Sequence, residues 1–261
     1  MAHPTGVLAD GNRVLLGRGA VYFDRHTAAG VKTGERFLGN CSTFELTMSE
    51  ETSDFYSSVD AASALIAQVS TRRTTELACV MNEFDQFNLG TALMGDSLAI
   101  VNGSGTLTSE VLVTTASVQG RWYPATKRNL SGIAVTGAGG TPTHVITTDY
   151  LVDAAVGRIY VVEGGGIADG STIELDATYS AENLAAVAGA NAGSVTGNFR
   201  FVGDPASGPT VECEIWNAAV HPDGALSLIG SDYAEFRFKA GVLADTTNHP
   251  TEPYFRIFVR P

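Results

Sequence analysis

The C-terminal part of the chain alternates apolar and polar positions with a period of two. The alternation runs through 210–216, 225–229 and 233–239. Successive side chains of a strand point to opposite faces of a sheet, so the pattern predicts strands with one apolar and one charged face. The residues predicted to face the core are Val211, Cys213, Ile215, Phe236 and Phe238, and those predicted on the charged face are Glu212, Glu214 and Glu235.

Glycine turns separate short apolar stretches along the rest of the chain. The whole sequence has 29 glycines and 9 prolines. This composition favours short strands over long helices. Asp85 stands where a helix N-cap belongs, so one short helix is predicted to end near Gly95. The predicted fold class is all-β with one short flanking helix. Further strands are predicted at 42–48, 74–84, 133–135, 150–152, 159–162 and 173–179.

Segment 49–70 lacks a clear strand pattern. It is polar and acidic at first and alanine-rich from Ala61 to Ala67. Its length exceeds what an ordinary hairpin connection needs. We therefore expect a long loop here, which can include a helical turn.

Composition also divides the chain into three sections. Small polar residues at 102–105 mark a junction, and 110–180 has the closely spaced strands and turns of a small β-sandwich or barrel. The sections on either side, 1–109 and 181–261, carry amphipathic strands. If these two pair with each other, 110–180 is an insertion within one discontinuous domain.

The net charge is -12, and the acidity is spread along the chain. A protein that grips nucleic acid through its phosphates needs a basic patch, and the sequence offers only the short runs 72–73 and 127–128. The charge therefore argues against tight DNA binding. It is compatible with a conduit along which a polyanion slides without adhering.

Cysteine usage and the N-terminus bear on localisation. Cys41, Cys79 and Cys213 are odd in number and widely spaced, which predicts free thiols in a reducing compartment. The first residues lack the pattern of a signal peptide. No segment approaches the roughly 20 apolar residues of a membrane span. We expect synthesis in the cytoplasm and no membrane binding.

One short motif suggests an enzyme. Residues 95–98 read GDSL, as in a family of serine esterases, and Asp245 with His249 lies one residue off the DxxH of that family. However, Ser97 follows a predicted helix in a β-rich chain, and no matching oxyanion element is present. The five histidines also lack zinc-site spacing. No catalytic residue, cofactor or metal site is predicted, and an esterase is the least favoured alternative.

Eight short segments carry a resemblance to a known family. They are LGRGAVYF (16–23), RFLGN (36–40), FEL (44–46), FYSS (55–58), EIWNA (214–218), HPDG (221–224), LIG (228–230) and YFRI (254–257). In this order they resemble the major tail tube proteins of long, non-contractile-tailed bacteriophages (siphophages). The middle section, around 148–170, is similar to the small β-domains that phages insert into structural proteins. The match covers both outer sections of the chain.

The resemblance implies a β-sandwich core with a flanking helix, six copies of which close into a ring. Inner strands would join as one continuous barrel, and stacked rings would form a tube. The implied partners are the chain itself, a tape-measure protein, the tail terminator and tail tip proteins, with DNA as a repelled passenger. The implied location is the virion, with the middle section outside as decoration. A capsid decoration or baseplate component is the structural alternative.

Two groups of site residues follow from this reading. Candidate carboxylates facing the lumen are Glu45, Glu76, Glu212, Glu214 and Glu235. Some of them can instead point outward or pair with Arg72, Arg73, Arg237 or Lys239 between subunits. Candidate residues of a loop reaching the next ring are Glu50, Glu51, Asp54, Phe55, Tyr56 and Asp60. Residues 1–12 and the strand 254–261 are expected to order only on assembly.

Overall fold

The computed structural model describes residues 13–59 and 62–260. Strands account for 52% of the chain and one α-helix is present among these residues, which confirms the all-β prediction. Asp60 and the N-terminal segment 1–12 lie outside the described residues. The elements are β1 (Gly19–Arg25), β2 (Arg36–Phe37), β3 (Cys41–Tyr56), β4 (Leu65–Met81), α1 (Gln86–Ala92), β5 (Asp96–Asn102), β6 (Gly105–Val113), β7 (Trp122–Pro124), β8 (Leu130–Thr136), β9 (Tyr150–Asp153), β10 (Arg158–Val161), β11 (Ile173–Tyr179), β12 (Glu182–Ala188), β13 (Val195–Gly203), β14 (Thr210–Pro222), β15 (Phe236–Val242) and β16 (Phe255–Arg260).

The chain forms two compact units. Unit 1 combines Met1–Ser97 with Val187–Pro261, and unit 2 is Leu98–Ala186. The sequence analysis places the corresponding boundaries at 109/110 and 180/181. Both observed boundaries fall inside strands, β5 and β12, which pair with each other in a two-stranded sheet.

Unit 1 is built on one antiparallel sheet of eight strands. Its order is β2-β1-β13-β14-β15-β4-β3, and β16 pairs with the first half of β14. Phe44 of β3 stacks on Phe201 of β13 at a ring-centroid distance of 5.6 Å, although three strands separate β3 from β13 in the sheet order. The sheet therefore curves around its own apolar side.

Phenylalanines fill this apolar side. Phe199 lies 4.3 Å from Phe23 and 5.6 Å from Phe238 between ring centroids, and all three side chains are buried. Of the residues predicted to face the core, Cys213, Ile215, Phe236 and Phe238 are buried, and Val211 is half-buried. Cys79 is buried in the same cluster.

A β-bulge in β14 changes which residues face the core. Phe199 of β13 pairs with Ile215, but Gly197 pairs with Ala218, so two residues of β14, Trp216 and Asn217, oppose the single Asn198 of β13. Odd-numbered residues face the core up to Ile215, and even-numbered residues do so from Ala218. The alternation predicted over 210–216 is confirmed up to Ile215, and the structure shows that β14 continues beyond the bulge with the opposite phase.

Helix α1 closes one end of the core. The side chain of Asp85 accepts a hydrogen bond from the Asn88 amide at 2.7 Å, which is the predicted N-cap. Asn88 in turn donates to the Leu38 carbonyl at 2.9 Å. Phe87 packs against Phe23. The predicted short helix is confirmed.

The prediction of a loop at 49–70 is wrong. Residues 49–56 continue β3 and residues 65–70 belong to β4, so the segment is mainly a long β-hairpin. Both faces of this hairpin are exposed, so no alternation of apolar and polar residues marks the strands. Threonines and branched apolar residues nevertheless favour an extended backbone there.

Two further expectations need correction. Residues 225–229 form part of an irregular connection between β14 and β15, since Gly224 and Gly230 flank a run whose Leu228 and Ile229 find no apolar cover. The C-terminal segment also does not wait for assembly to become a strand, because β16 pairs with β14 of the same chain from Ile215↔Phe255 to Thr210↔Arg260.

Unit 2 contains two three-stranded antiparallel sheets, β7-β10-β9 and β6-β11-β8. The strands predicted in this region are confirmed as β8 to β11. Its core includes the fully buried Ile159, Val161, Ile167 and Ile173. None of the helices in the described ranges is long and apolar enough to cross a membrane.

Asp149 fixes a turn of unit 2. Its carboxylate accepts hydrogen bonds from the amides of Val145 and Gly166, each at 2.7 Å. These bonds hold the pKa of Asp149 below its ordinary value of 3.8. A carboxyl whose pKa is depressed by folding stabilises the folded state above its unfolded pKa, and this contribution is lost as the pH falls through the folded value.

Asp149→Asn is predicted to destabilise unit 2 at neutral pH, because an amide offers only one oxygen to the two N–H donors. The difference from the wild type should shrink as the pH falls below about 4. Urea unfolding followed by Trp122 fluorescence in a Trp216→Phe background measures it, with the exposed Glu163→Gln as control. A difference independent of pH contradicts the assignment.

Candidate functional site: the open face and the projecting arm

The sheet of unit 1 has a second side, called here the open face, which points away from the core. Glu45 pairs with Ala78 and Glu76 pairs with Thr47, so these two glutamates lie diagonally on the open face. Glu212 and Glu214 lie on the same side of β14, opposite the buried Cys213. Glu235 directly precedes β15 and alternates with the buried Phe236. All five predicted carboxylates therefore lie on one side of the sheet.

Three of the five are paired within the chain. Arg200 of β13 donates to Glu35 and Glu212, each at 2.9 Å, and also to Glu214. Arg260 of β16 donates to the other oxygen of Glu212 at 2.8 Å. Burial alone would lower the pKa of Arg200, but the hydrogen bonds to Glu35 and Glu212 raise it above its ordinary value. This cluster ties β13, β14 and β16 together.

Glu235 pairs with Arg237 at 3.2 Å, which leaves Glu45 and Glu76 as the uncompensated candidates. Both are exposed, and no ion pair involves either of them in the described part of the chain. The open face is thus of mixed charge around β14 and acidic where β3 meets β4. Arg200 and Arg260 were missed because their pairing depends on strand register.

The second feature is the arm, defined as 48–56 of β3 with 65–74 of β4. Every residue of these ranges is exposed. Cross-strand contacts hold the stem: Ser49 and Thr74 hydroxyls are 2.6 Å apart, and Arg73 donates to Glu50 at 3.3 Å. Hydrogen bonds from Ser70 and Arg73 lower the pKa of Glu50. Arg72 likewise pairs with Glu51 within the arm, so in the described residues Arg72 and Arg73 pair with stem glutamates and with none of the five candidate lumen carboxylates.

The tip of the arm is apolar. Phe55 is 66% exposed, and the exposed apolar residues of the tip are Phe55, Tyr56, Val59, Leu65, Ile66 and Val69. Of the loop residues named from the sequence, Glu50 and Glu51 lie in the stem, Asp54, Phe55 and Tyr56 at the tip. A two-stranded ribbon of this kind is only marginally stable in water by itself. A group of exposed large apolar side chains at the end of one element is typical of an interaction site.

The residues of the esterase motif do not form a catalytic arrangement. The His249 ring stacks on Trp216 at 3.7 Å, and the Asp245 carboxylate accepts hydrogen bonds from Asn248. Ser97 is exposed at the start of β5, and no hydrogen bond joins it to His249 in the described residues. This geometry lends the esterase alternative no support. Across 13–59 and 62–260, no group of three potential metal ligands is found.

A family model matches residues 14–257. The chain belongs to the family described as protein of unknown function UCP028589. A comparison with curated proteins finds no match. The matched region includes the open face, the arm and unit 2, so the family shares this whole span, and the function must be argued from the geometry.

Arg200→Met is predicted to destabilise unit 1 by about 1–3 kcal/mol at neutral pH, because three neighbouring carboxylates lose their common cation. The control is Arg237→Met, whose exposed ion pair predicts a change of at most about 1 kcal/mol. Urea unfolding followed by Trp216 in a Trp122→Phe background measures both. Equal effects of the two variants would contradict the role given to Arg200.

Proposed function

We propose that this protein is a structural subunit of a phage tail tube, polymerising as stacked hexameric rings into a conduit for the genome. It performs no chemistry in this role. Its partners are copies of itself, a tape-measure protein within the growing tube, and terminator and tip proteins at the ends. The virion is its final location. The observation that carries the proposal is the arm, a pair of strands that extends beyond the core of unit 1 and is not covered by it.

The arm supports assembly on energetic grounds. Burial of apolar surface contributes about 25 cal/mol per Å², and the tip exposes six large apolar side chains. In a subunit that stayed alone, these side chains would remain in water and the ribbon would be only marginally stable. A neighbouring copy that covers the tip stabilises both the ribbon and the contact.

The edge of the sheet supports the same conclusion. Among the described strands β3 pairs only with β4, so the other edge of this 16-residue strand is open. Long open edges invite pairing with further strands and are usually covered or closed. A ring of subunits whose sheets join side by side closes such edges, as in a barrel.

The negative charge of the open face supports the proposed role as a conduit for DNA. Of the five candidate carboxylates, Glu45 and Glu76 are the two that pair with no cation in the described residues, and the chain as a whole carries -12. A lumen lined by such groups repels the phosphates of DNA, so the genome moves without adhering. In this proposal Glu212 and Glu214 serve mainly to hold strands together through Arg200 and Arg260, and Glu235 is paired with the nearby Arg237.

Electron microscopy of the purified protein tests the proposal. Hollow tubes or six-fold rings are expected for the wild type, and a variant with 50–73 replaced by a short Gly-Ser turn should remain folded yet form no tubes. The control shortens the exposed connection 225–231 instead. Monomers at all concentrations would refute the proposal, and closed shells would favour a capsid component.

The double variant Glu45→Lys/Glu76→Lys is predicted to form tubes that retain double-stranded DNA at low salt and release it at high salt, because the bound phosphates exchange with salt ions. Wild-type tubes should retain none. The control Glu163→Lys/Asp232→Lys makes the same change in net charge at two other exposed positions, one in unit 2 and one in the connection between β14 and β15. Co-sedimentation of DNA with tubes measures retention, and equal retention by both double variants would show that Glu45 and Glu76 have no special position.

A further inference from the structure

The two ends of β3 carry complementary surfaces. Its first residues, including Cys41 and Phe44, line an apolar groove in unit 1. Its last residues, Phe55 and Tyr56, form the tip of the arm. Phe44 and Phe55 are 11 residues apart along one strand, which corresponds to about 36 Å at ~3.3 Å per residue. A hollow and a projection thus lie at opposite ends of the same element.

The groove can accept an aromatic side chain. Its volume is about 270 Å³ and its apolar lining includes Leu15, Val21, Phe44, Phe201 and Val211. A dry cavity of about 150 Å³ already holds a benzene ring, so a phenyl group fits with room for part of its strand. Arg18 also lines the groove. It is exposed and forms no ion pair within the described ranges.

The tip offers the matching chemistry. Phe55 pairs across the hairpin with Ala67, whose methyl group covers little of the phenyl ring. The neighbouring Asp54 accepts a hydrogen bond from the Tyr56 hydroxyl at 3.4 Å and pairs with no cation in the described part of the chain. The tip therefore presents an exposed ring and, from the preceding residue on the other face of the ribbon, an uncompensated carboxylate. The groove presents an apolar hollow lined also by an uncompensated guanidinium.

We propose that Phe55 of one copy occupies the groove of the next copy, with Asp54 against Arg18. This inference rests on the proposed function, since it names the surface that receives the arm. Projection and hollow are different surfaces at opposite ends of β3, so the contact is head-to-tail and repeats without limit. Each copy is then displaced from the next by the distance between its groove and its tip. The rise from one copy to the next along the stack therefore cannot exceed roughly 36 Å.

The native thiol in the groove provides a direct test. Cys41 is half-buried there, and Ala67→Cys places a second thiol beside Phe55 without altering Phe55 or Asp54. A short bismaleimide alkylates both thiols and should join neighbouring copies into ladders on a denaturing gel. Adding Cys41→Ala, or Phe55→Ser, should reduce the linked fraction at least ten-fold. Ladders that survive either change would overturn the proposal.

Other occupants of the groove are outcomes of the same experiment. Leu228→Cys tests the exposed connection between β14 and β15, and a link from this position to Cys41 in place of the Ala67→Cys link would assign the groove to that connection. A link from Ala67→Cys that forms only after deletion of residues 1–12 would assign the groove to the N-terminal segment of the chain. Either result overturns the proposal.

A charge exchange separates recognition from folding. Asp54→Arg and Arg18→Asp should each lower the linked fraction several-fold, and the combined variant should restore it, because the pair then forms with opposite polarity. Failure of restoration overturns the ion pair. If tubes form but no Ala67→Cys to Cys41 link is found, this inference fails alone. If neither tubes nor rings form, the proposed function fails with it.

Discussion

The continuous pairing of β3 with β4 is the interaction on which the architecture depends. Its inner part, from Cys41 to Thr47, lies over the phenylalanine core of unit 1 and is anchored by buried Leu77, Cys79 and Met81. Its outer part extends beyond this core, where only cross-strand hydrogen bonds and exposed ion pairs hold the two strands together. The backbone hydrogen bonds between β3 and β4 continue from the inner part into the outer part, interrupted only by single-residue bulges. The core therefore fixes the direction in which the arm points.

This arrangement separates two tasks. The core of unit 1 and the Arg200 cluster keep one subunit folded, since they bury aromatic rings and neutralise carboxylates within a single chain. The arm, the open edge of β3 and the groove contribute little to a lone subunit, and in the proposed assembly they gain stability from another copy. Glu45 and Glu76 pair with no cation in the described residues, which in the proposed tube suits a surface exposed to a moving polyanion better than a surface buried between subunits.

The sequence predicted what local rules determine. Alternation identified the strands around Cys213 and Phe238, and Asp85 marked the start of α1. The strands of the arm, which the sequence analysis named as a loop, were missed because a ribbon exposed on both faces has no alternation to detect. The bulge between Ile215 and Ala218 and the pairing of Arg200 with Glu212 depend on which strands become neighbours, and no short segment encodes this. The opposite error occurred at 225–229, where alternation predicted a strand but the segment pairs with no sheet.

Hydrogen–deuterium exchange of the arm amides tests the central claim most directly. Dilute monomer and assembled protein are compared for peptides covering 48–56 and 65–74, with β13 as the internal standard because it is paired on both sides in a single chain. The account predicts rapid exchange of the arm in the monomer and strong protection after assembly, with β13 protected in both. Equal arm protection in monomer and assembly would contradict the claim that another copy covers it.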